Sequence, residues 1–452
     1  MKLLSILLLL MVSSACQSNS FKETQEKPNI VIILSDDQAW NDYSFMGHKY
    51  IQTPNIDKLA AEAVLFKRGY VPTGLCRPSL MTIMTGQYAS IHGVTGNNPY
   101  GKSDNPNTTS VKEALISKID KFDTIAELLG EQGYLSHQSG KWWEGNFKRG
   151  GFTHGMTRGY PQKNGRHGDD GLKIGREGMK PVSDFVQMAV AEKKPFFMWY
   201  APFLPHTPHN PPQRLFDKYL KNKELPKTVA RYYAMCEWFD ETCGQLRSIL
   251  DKNKVSDNTI IIYVCDNGWI QSPTSRRYAP RSKQTAYEAG VRTPIFFHYP
   301  KKFQATSRPE LCSSLDILPT IVGLTGAKMP KGLPGLDLSK TCLSGASIKR
   351  DHIFGESFAH DILDISNPDE TLVYRWCIQG KWKLLLTYDG IVRSYKSTHP
   401  RKEKRPQLFD LSADPHETKN LAAANPAIVA KMAKMVTDWH PSKARKVLTE
   451  FK

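Results

Sequence analysis

The chain has 452 residues, long enough to bury a large core and too long for one small domain. Charged residues make up 23% and hydrophobic ones 40%, the balance of an ordinary globular protein. The net charge of +17 sets up a field that attracts polyanions, yet no basic block or nucleic-acid fold motif accompanies it, so nucleic acid is excluded as the expected partner.

At the start, Lys2 precedes an apolar run from Leu3 to Val12 and then small residues. Residues 1–15 therefore read as a signal peptide, too short to span a membrane as a stable helix. Ser13-Ser14-Ala15-Cys16 resembles a bacterial lipobox, which makes Cys16 a lipidation site and residues 16–27 a polar tether. The expectation is an exported bacterial protein in the periplasm or at the cell surface, touching a membrane only through that lipid anchor. Asn29 to Leu34, NIVIIL, is a continuous β-branched run, the mark of a strand buried on both faces. It ends in Ser35-Asp36-Asp37, where an open α/β sheet gathers its ligands. Residues 53–66 read as a helix with Pro54 in its first turn. Residues 71–86, VPTGLCRPSLMTIMTG, read as an extended approach and then a helix. Pro78 suits its first turn, Leu80, Met81, Ile83 and Met84 its buried face, and Gly86 its C-cap. Cys76 then stands at a helix N-terminus, a position that binds anions and lowers a thiol's pKa. The plainer alternative is a buried structural cysteine.

Residues 123–133 read as a helix capped by Asp123 and stopped by Gly133. A short strand, Tyr134 to Gln138, leads into Gly140-Lys141-Trp142-Trp143. Residues 145–180, rich in Gly, Arg, His and Asp, read as a long irregular active-site loop. Residues 195–201 are another buried strand, ending in Pro205-His206-Thr207-Pro208-His209. A long helix spans 229–250, and Thr259 to Val264 is a strand ending in Cys265-Asp266-Asn267-Gly268. Ile295 to His298 is a further strand, and 315–325 a helix bent or started at Pro319. Residues 328–348 form a connection. Beyond it, 353–358, 374–378, 382–386 and 407–410 suggest short antiparallel strands, closed by a helix at 426–438. Strands separated by helices argue an α/β core at 28–345 with a smaller strand-rich unit at 346–452. Cys236 and Cys243 lie on one helix, roughly 10 Å apart along its axis, too far to bridge. Cys312, Cys342 and Cys377 show no metal or disulfide spacing, so reduced core thiols are expected, with one chance disulfide as the alternative.

Cys76-Arg77-Pro78-Ser79-Leu80, then Thr85-Gly86, closely resembles the signature of the type I, formylglycine-dependent sulfatases, in which Cys-x-Pro-Ser-Arg precedes a Thr-Gly. TPNIDKLAAEAVLF, GKW, PHTPH, CDNG, YEAGVRTP and LFDLSADPHETKNLA extend the resemblance, in family order, over nearly the whole mature chain. The resemblance implies an alkaline-phosphatase-like α/β/α sandwich with a small C-terminal antiparallel-sheet subdomain. It also implies that a maturation enzyme oxidises Cys76 to formylglycine, whose hydrated aldehyde attacks sulfate esters. The basic charge, the export signal and the aromatic-rich loop then point to a sulfated polysaccharide or oligosaccharide as substrate.

Two buried strands deliver Asp36 and Asp37, Asp266 and Asn267. Three carboxylates and an amide are hard oxygen ligands that suit Ca²⁺ far better than zinc. Turn caps alone would explain Asp and Asn in loops, but like charges so close need a cation. The resemblance matches these four residues to the family's Ca²⁺ ligands. It also implies that Lys141 and Lys283 hold the sulfate oxygens and that His206 protonates the leaving oxygen. His209, His167, Arg176 and Trp143 are candidates for substrate contact. The chain departs from the family twice, with Leu80 in place of Arg and Trp143 in place of His. The loop 158–177 is expected to swing in and replace them, with His167 as the substitute base; a solvated Gly-rich loop is the alternative. Two rival readings remain: a phosphate or phosphonate ester hydrolase on the same fold, and an inactive glycan-binding homologue.

Overall fold

The alternation along β1 (Asn29–Ser35) divides the interior in two: Ile30, Ile32 and Leu34 enter one apolar layer, Val31 and Ile33 the other. A strand with no polar face has to lie inside a sheet covered on both sides. The computed structural model, which describes residues 27–101, 106–396, 403, 405–440, 442 and 445–448, has that arrangement. The signal peptide, Cys16 and all but the last residue of the tether lie outside the described residues.

The longer strands of the main sheet are β1, β2 (Val64–Tyr70), β3 (Leu135–Gly140), β4 (Phe196–Ala201), β5 (Thr259–Cys265) and β6 (Arg292–His298). The nine-stranded sheet runs Cys312–Ser313, β2, β6, β5, β1, β4, β3, His154–Gly155, with Thr306–Arg308 beside β2. β1 is parallel to β4 and β5, β3 is parallel to β4, and β6 is antiparallel to β5 and β2. The helices Cys76–Thr85, Ile125–Gly130 and Ile317–Thr325 cover one face. Pro54–Ala61, Lys180–Ala191 and Lys227–Lys252 cover the other. Register then builds the site. Ser35 opposes Cys265, so Asp36-Asp37 and Asp266-Asn267 leave the sheet side by side. Gly140 opposes Ala201, so Lys141 emerges at the same end.

A second sheet follows in the order β7 (His352–Phe358), β8 (Leu372–Gln379), β9 (Trp382–Thr387) and β10 (Gln407–Asp410), antiparallel throughout. The helix Pro426–Trp439 packs on it through Met432 and Val436. Val373, Tyr374 and Trp376 of β8 join Tyr70 in the main core. Buried Lys383 clamps the junction, 2.9 Å from Glu288 and 3.0 Å from Glu417.

Several boundaries differ from expectation. The helix expected over 53–66 stops at Ala61, because Val64, Leu65 and Phe66 pair with Phe297, Phe296 and Ile295 as β2. Thr124, not Asp123, caps its helix, through a reciprocal capping box with Glu127. The helix expected to bend or start at Pro319 starts at Ile317, with Pro319 in its first turn, where a missing N–H costs nothing. The helices Lys180–Ala191, Gln213–Leu220 and Ser339–Ser344 were not anticipated. Residues 145–180 are irregular as expected, with short 3-10 turns and the edge strand His154–Gly155. The seven described cysteines are all buried free thiols.

Candidate active site

The carboxyl ends of β1, β3, β4 and β5 meet over one cavity of 690 Å³. Cys76, Lys141, His206 and Lys283 line its base. Ligand atoms of Asp36, Asp37, Cys76 and His206 all lie within 4.8 Å of one another. Asp266 and Asn267 complete the cluster: Asp266 Oδ1 accepts the Asp37 N–H at 3.2 Å, and Asn267 Nδ2 donates to Asp37 Oδ1 at 2.7 Å. Two glycines make this packing possible. A Cβ at Gly140 would lie 1.8 Å from the Ala201 carbonyl oxygen, and one at Gly268 would lie 2.0 Å from that of Ala289. Asp37 itself takes φ +66°, a left-handed conformation that Asp tolerates better than most residues.

The charges here are closely balanced. Lys141 Nζ lies 2.8 Å from both oxygens of Asp36, and Lys283 Nζ lies 2.5 Å from Asp37 Oδ1. Burial alone would favour neutral amines, but the carboxylates outweigh it and raise both lysines above their ordinary value. Burial would also raise Asp37, yet Lys283, His206 and Lys141 together hold it at about 2. Asp266 is raised, by burial first and by the charge of Asp36 second. Three buried oxygens, Asp37 Oδ2, Asp266 Oδ2 and Asn267 Oδ1, accept no hydrogen bond among the described residues, although His206 and Lys141 approach the first two at 3.4 and 3.6 Å. Buried polar atoms are rarely left unsatisfied. These are hard oxygen donors, and with Asp36 they form a set that suits a divalent cation.

Cys76 begins its helix as expected, but its thiol pKa is not lowered. Burial pushes it up to about 12, and Lys141 and Lys283 offset only part of that rise. A helix N-terminus cannot activate a thiol that is 1% exposed when desolvation penalises the thiolate more. His206 is held at about 4 by burial, which outweighs the pull of Asp37. Its Nδ1 faces the Thr207 carbonyl at 2.6 Å and its Nε2 lies 3.4 Å from Asp37 Oδ2.

The remaining candidates separate. Trp143 and His167 line the cavity and stack on each other, with centroids 4.3 Å apart, so the 158–177 loop does reach the site. Burial pushes His167 down to about 3. Leu80 lies in the apolar core, away from the cavity lining. Its neighbour Arg77 is buried in a forked pair with Glu144, at 2.8 and 2.6 Å, and lies over Trp143. Arg176 does not line the cavity. Its guanidinium donates to the carbonyls of Phe203 and His206 and, at 2.5 Å, to Asn210 Oδ1, so it fixes the turn that carries His206. A cation in a Gly-rich loop looked available to a ligand, but these acceptors already occupy it. His209 lies in an adjoining cavity, against Tyr232 and Trp269. Trp142 is core, edge-on to Phe152 and Trp199.

Sequence reasoning missed most of the rim: Asn97, Arg276, Arg277, Tyr278, His360 and Tyr395. Arg276 and Arg277 follow the end of β5, and that position was a usable signal. His360 and Tyr395 come from the C-terminal region and carried none.

The family model described as Sulfatase matches residues 28–327, and that described as N-sulphoglucosamine sulphohydrolase, C-terminal, matches 281–440. Arylsulfatase A of Bos taurus is 27% identical, over 87% of this chain and 83% of its own length. The Ulvan-active sulfatase of Formosa agariphila is 26% identical, over 87% of this chain and 77% of its own. The crystal structure of Ps i-CgsB in complex with k-i-k-neocarrahexaose superposes with a TM-score of 0.70 at 26% identity, covering 91% of this chain and 92% of that one.

Proposed function

The chain belongs to the sulfatase family, in the alkaline-phosphatase-like superfamily, and is a sulfuric ester hydrolase; on that premise we propose that it desulfates a polysaccharide or oligosaccharide outside the cytoplasm. The observation that carries this reading is Cys76 within 4.8 Å of Asp36, Asp37 and His206, in a cluster where three buried oxygens accept no hydrogen bond among the described residues. In this reading Asp36, Asp37, Asp266 and Asn267 hold Ca²⁺, and a maturation enzyme oxidises Cys76 to formylglycine. That aldehyde, once hydrated, supplies the hydroxyl nucleophile that a thiol held at about 12 does not. Bound Ca²⁺ supplies Lewis acidity toward the sulfate oxygens and the nucleophile.

The chain's own groups do the rest. Lys141 and Lys283 stay protonated and offset charge on the sulfate oxygens. The leaving oxygen takes its proton from His206 or Lys283, and of the two Lys283 carries one at neutral pH in this arrangement. Trp143 offers a flat apolar surface to a sugar face, with His167 stacked on it. The complexes and substrates named for the relatives support a sulfated glycan: ulvan for one and a neocarrahexaose for another. The basic net charge supports the same class. Residues 1–15 and Cys16 support export and lipid anchoring, and among the described residues no helix is long and apolar enough to cross a membrane. We assign catalysis to 28–345, with 346–452 closing the rim through His360 and Tyr395.

Paired sulfate and phosphate monoesters of one alcohol, followed by a panel of sulfated oligosaccharides, test the reading. It requires kcat/KM to favour the sulfate ester and at least one glycan to release sulfate. A preference for the phosphate would assign the phosphate or phosphonate hydrolase, and binding without turnover would assign the inactive homologue.

A further inference from the structure

A second cavity, of 450 Å³, opens beside the one above Cys76 and falls within the size range of small-ligand sites. It lies between the turn 207–209, the first turn of the helix Lys227–Lys252 and the loop 271–276. The two cavities share Thr207 and Arg276. Its wall is built. Thr228 Oγ1 lies 3.0 Å from the Ser272 carbonyl and 2.9 Å from that of Pro273, tying helix to loop. The buried Gln271 amide donates to the carbonyls of Ser272, Ser275 and Arg277 and holds the loop in shape.

The lining is cationic and unpaired. Lys227, Arg231 and Arg276 face this space, no carboxylate lines it, and none of the three is in an ion pair among the described residues. The Arg231 guanidinium lies over the Phe216 ring at 4.4 Å, which holds it in place without using its N–H groups. His209 also lines the cavity, with its Nε2 buried and without a hydrogen bond among the described residues. Burial lowers that ring to about 4, so it adds no charge at neutral pH. The helix start adds backbone N–H groups with no side-chain cap. Three like charges around one cavity, with Lys227 and Arg276 exposed and Arg231 half-buried, repel each other until an anion joins them. A plain solvated basic face would not need the wall that Thr228 and Gln271 tie together.

We propose that this cavity is a second anion subsite, which takes a sulfate or carboxylate on the substrate while the scissile sulfate sits above Cys76. The inference rests on the sulfated-glycan reading above and narrows it to substrates with at least two anionic groups.

Calorimetric titration of the wild-type protein tests it, using sulfated disaccharides of chondroitin, heparin and carrageenan type. The disaccharides are sampled in pairs that differ by one sulfate or by one carboxylate. In at least one pair the second anion should tighten Kd by about 10–100-fold, the size of a charge-assisted contact. The two kinds of pair separate sulfate from carboxylate. Lys227→Ala/Arg231→Ala, and the milder Lys227→Gln/Arg231→Gln, should erase that ratio with an unchanged melting temperature and little change for the mono-anionic member. Equal Kd values within every wild-type pair, or a ratio that survives in both variants, would overturn the subsite. Turnover of a small aryl sulfate by the wild type is read separately. Its absence with the ratio intact would count against the hydrolase reading and leave the subsite standing.

Discussion

The floor of the cavity and its rim are made of different material. Strand ends deliver the buried set that packs against the floor's Lys141 and Lys283: Asp36, Asp37, Asp266 and Asn267 are at most 3% exposed, and the register of β1 on β5 fixes them. Loops deliver the rim, where Arg276 and Arg277 are exposed and His360 and Tyr395 arrive from a distant part of the chain. A rigid floor suits chemistry that must hold reacting groups in place. A loop-built rim can change while that chemistry stays.

The most severe break of this contrast is in the floor. Asp266→Ala should lower kcat/KM by on the order of 10³–10⁴-fold and abolish Ca²⁺ retention measured by equilibrium dialysis. A variant that keeps both would remove Asp266 from the floor. At the boundary, His167→Ala should lower kcat by about 10²-fold if the ring relays a proton, the low end for a positioned base. Unchanged turnover would leave it as packing for Trp143. Behind the rim, Arg176→Ala should lose about 1–3 kcal/mol of stability, because the Phe203 and His206 carbonyls lose their charged donor. Chemical denaturation measures this, and kcat should fall through a displaced His206 with KM little changed.

The last effect lies under the floor and shows only as a pH dependence of stability. The Tyr232 hydroxyl is within hydrogen-bond reach of both the Asp37 carbonyl and Asp42 Oδ2. Burial raises the Asp42 carboxyl from 3.8 to about 7, with Tyr232 and the Ala39 N–H offsetting only part of the rise. His48, 3.8 Å away, is itself held at about 4 by burial and brings no charge at neutral pH. The folded chain therefore keeps a proton that the unfolded chain releases above pH 3.8. This contribution to stability is full below that value and is lost as pH rises through about 7. Asp42→Asn should flatten the melting-temperature profile over that window and gain on the order of 2–3 kcal/mol at pH 8. A variant profile parallel to the wild type would contradict it.

The same contrast explains what was legible in the sequence. Parallel strands buried on both faces read as unbroken apolar runs, and the ligands follow them directly, so NIVIIL-Ser35-Asp36-Asp37 and TIIIYV-Cys265-Asp266-Asn267 disclosed the floor. The Cys76 helix, with Pro78 inside its start and Gly86 past its end, was equally plain. β2 was not, because no Gly or Pro separates Ala61 from Val64 and pairing to β6 decided the matter. Arg176 read as free for a ligand because a side chain's acceptors depend on turns that cross in space, here those that carry Phe203 and His206. The cysteine pKa was misjudged because local position suggested the helix dipole while burial, a tertiary quantity, won.

Tandem mass spectrometry of the peptide containing residue 76, after co-expression with a maturation enzyme, tests the central claim most directly. The account predicts the mass of the aldehyde or its hydrate at that position, in protein that releases sulfate. An unmodified Cys76 thiol in protein that turns over sulfate esters at full rate would contradict it.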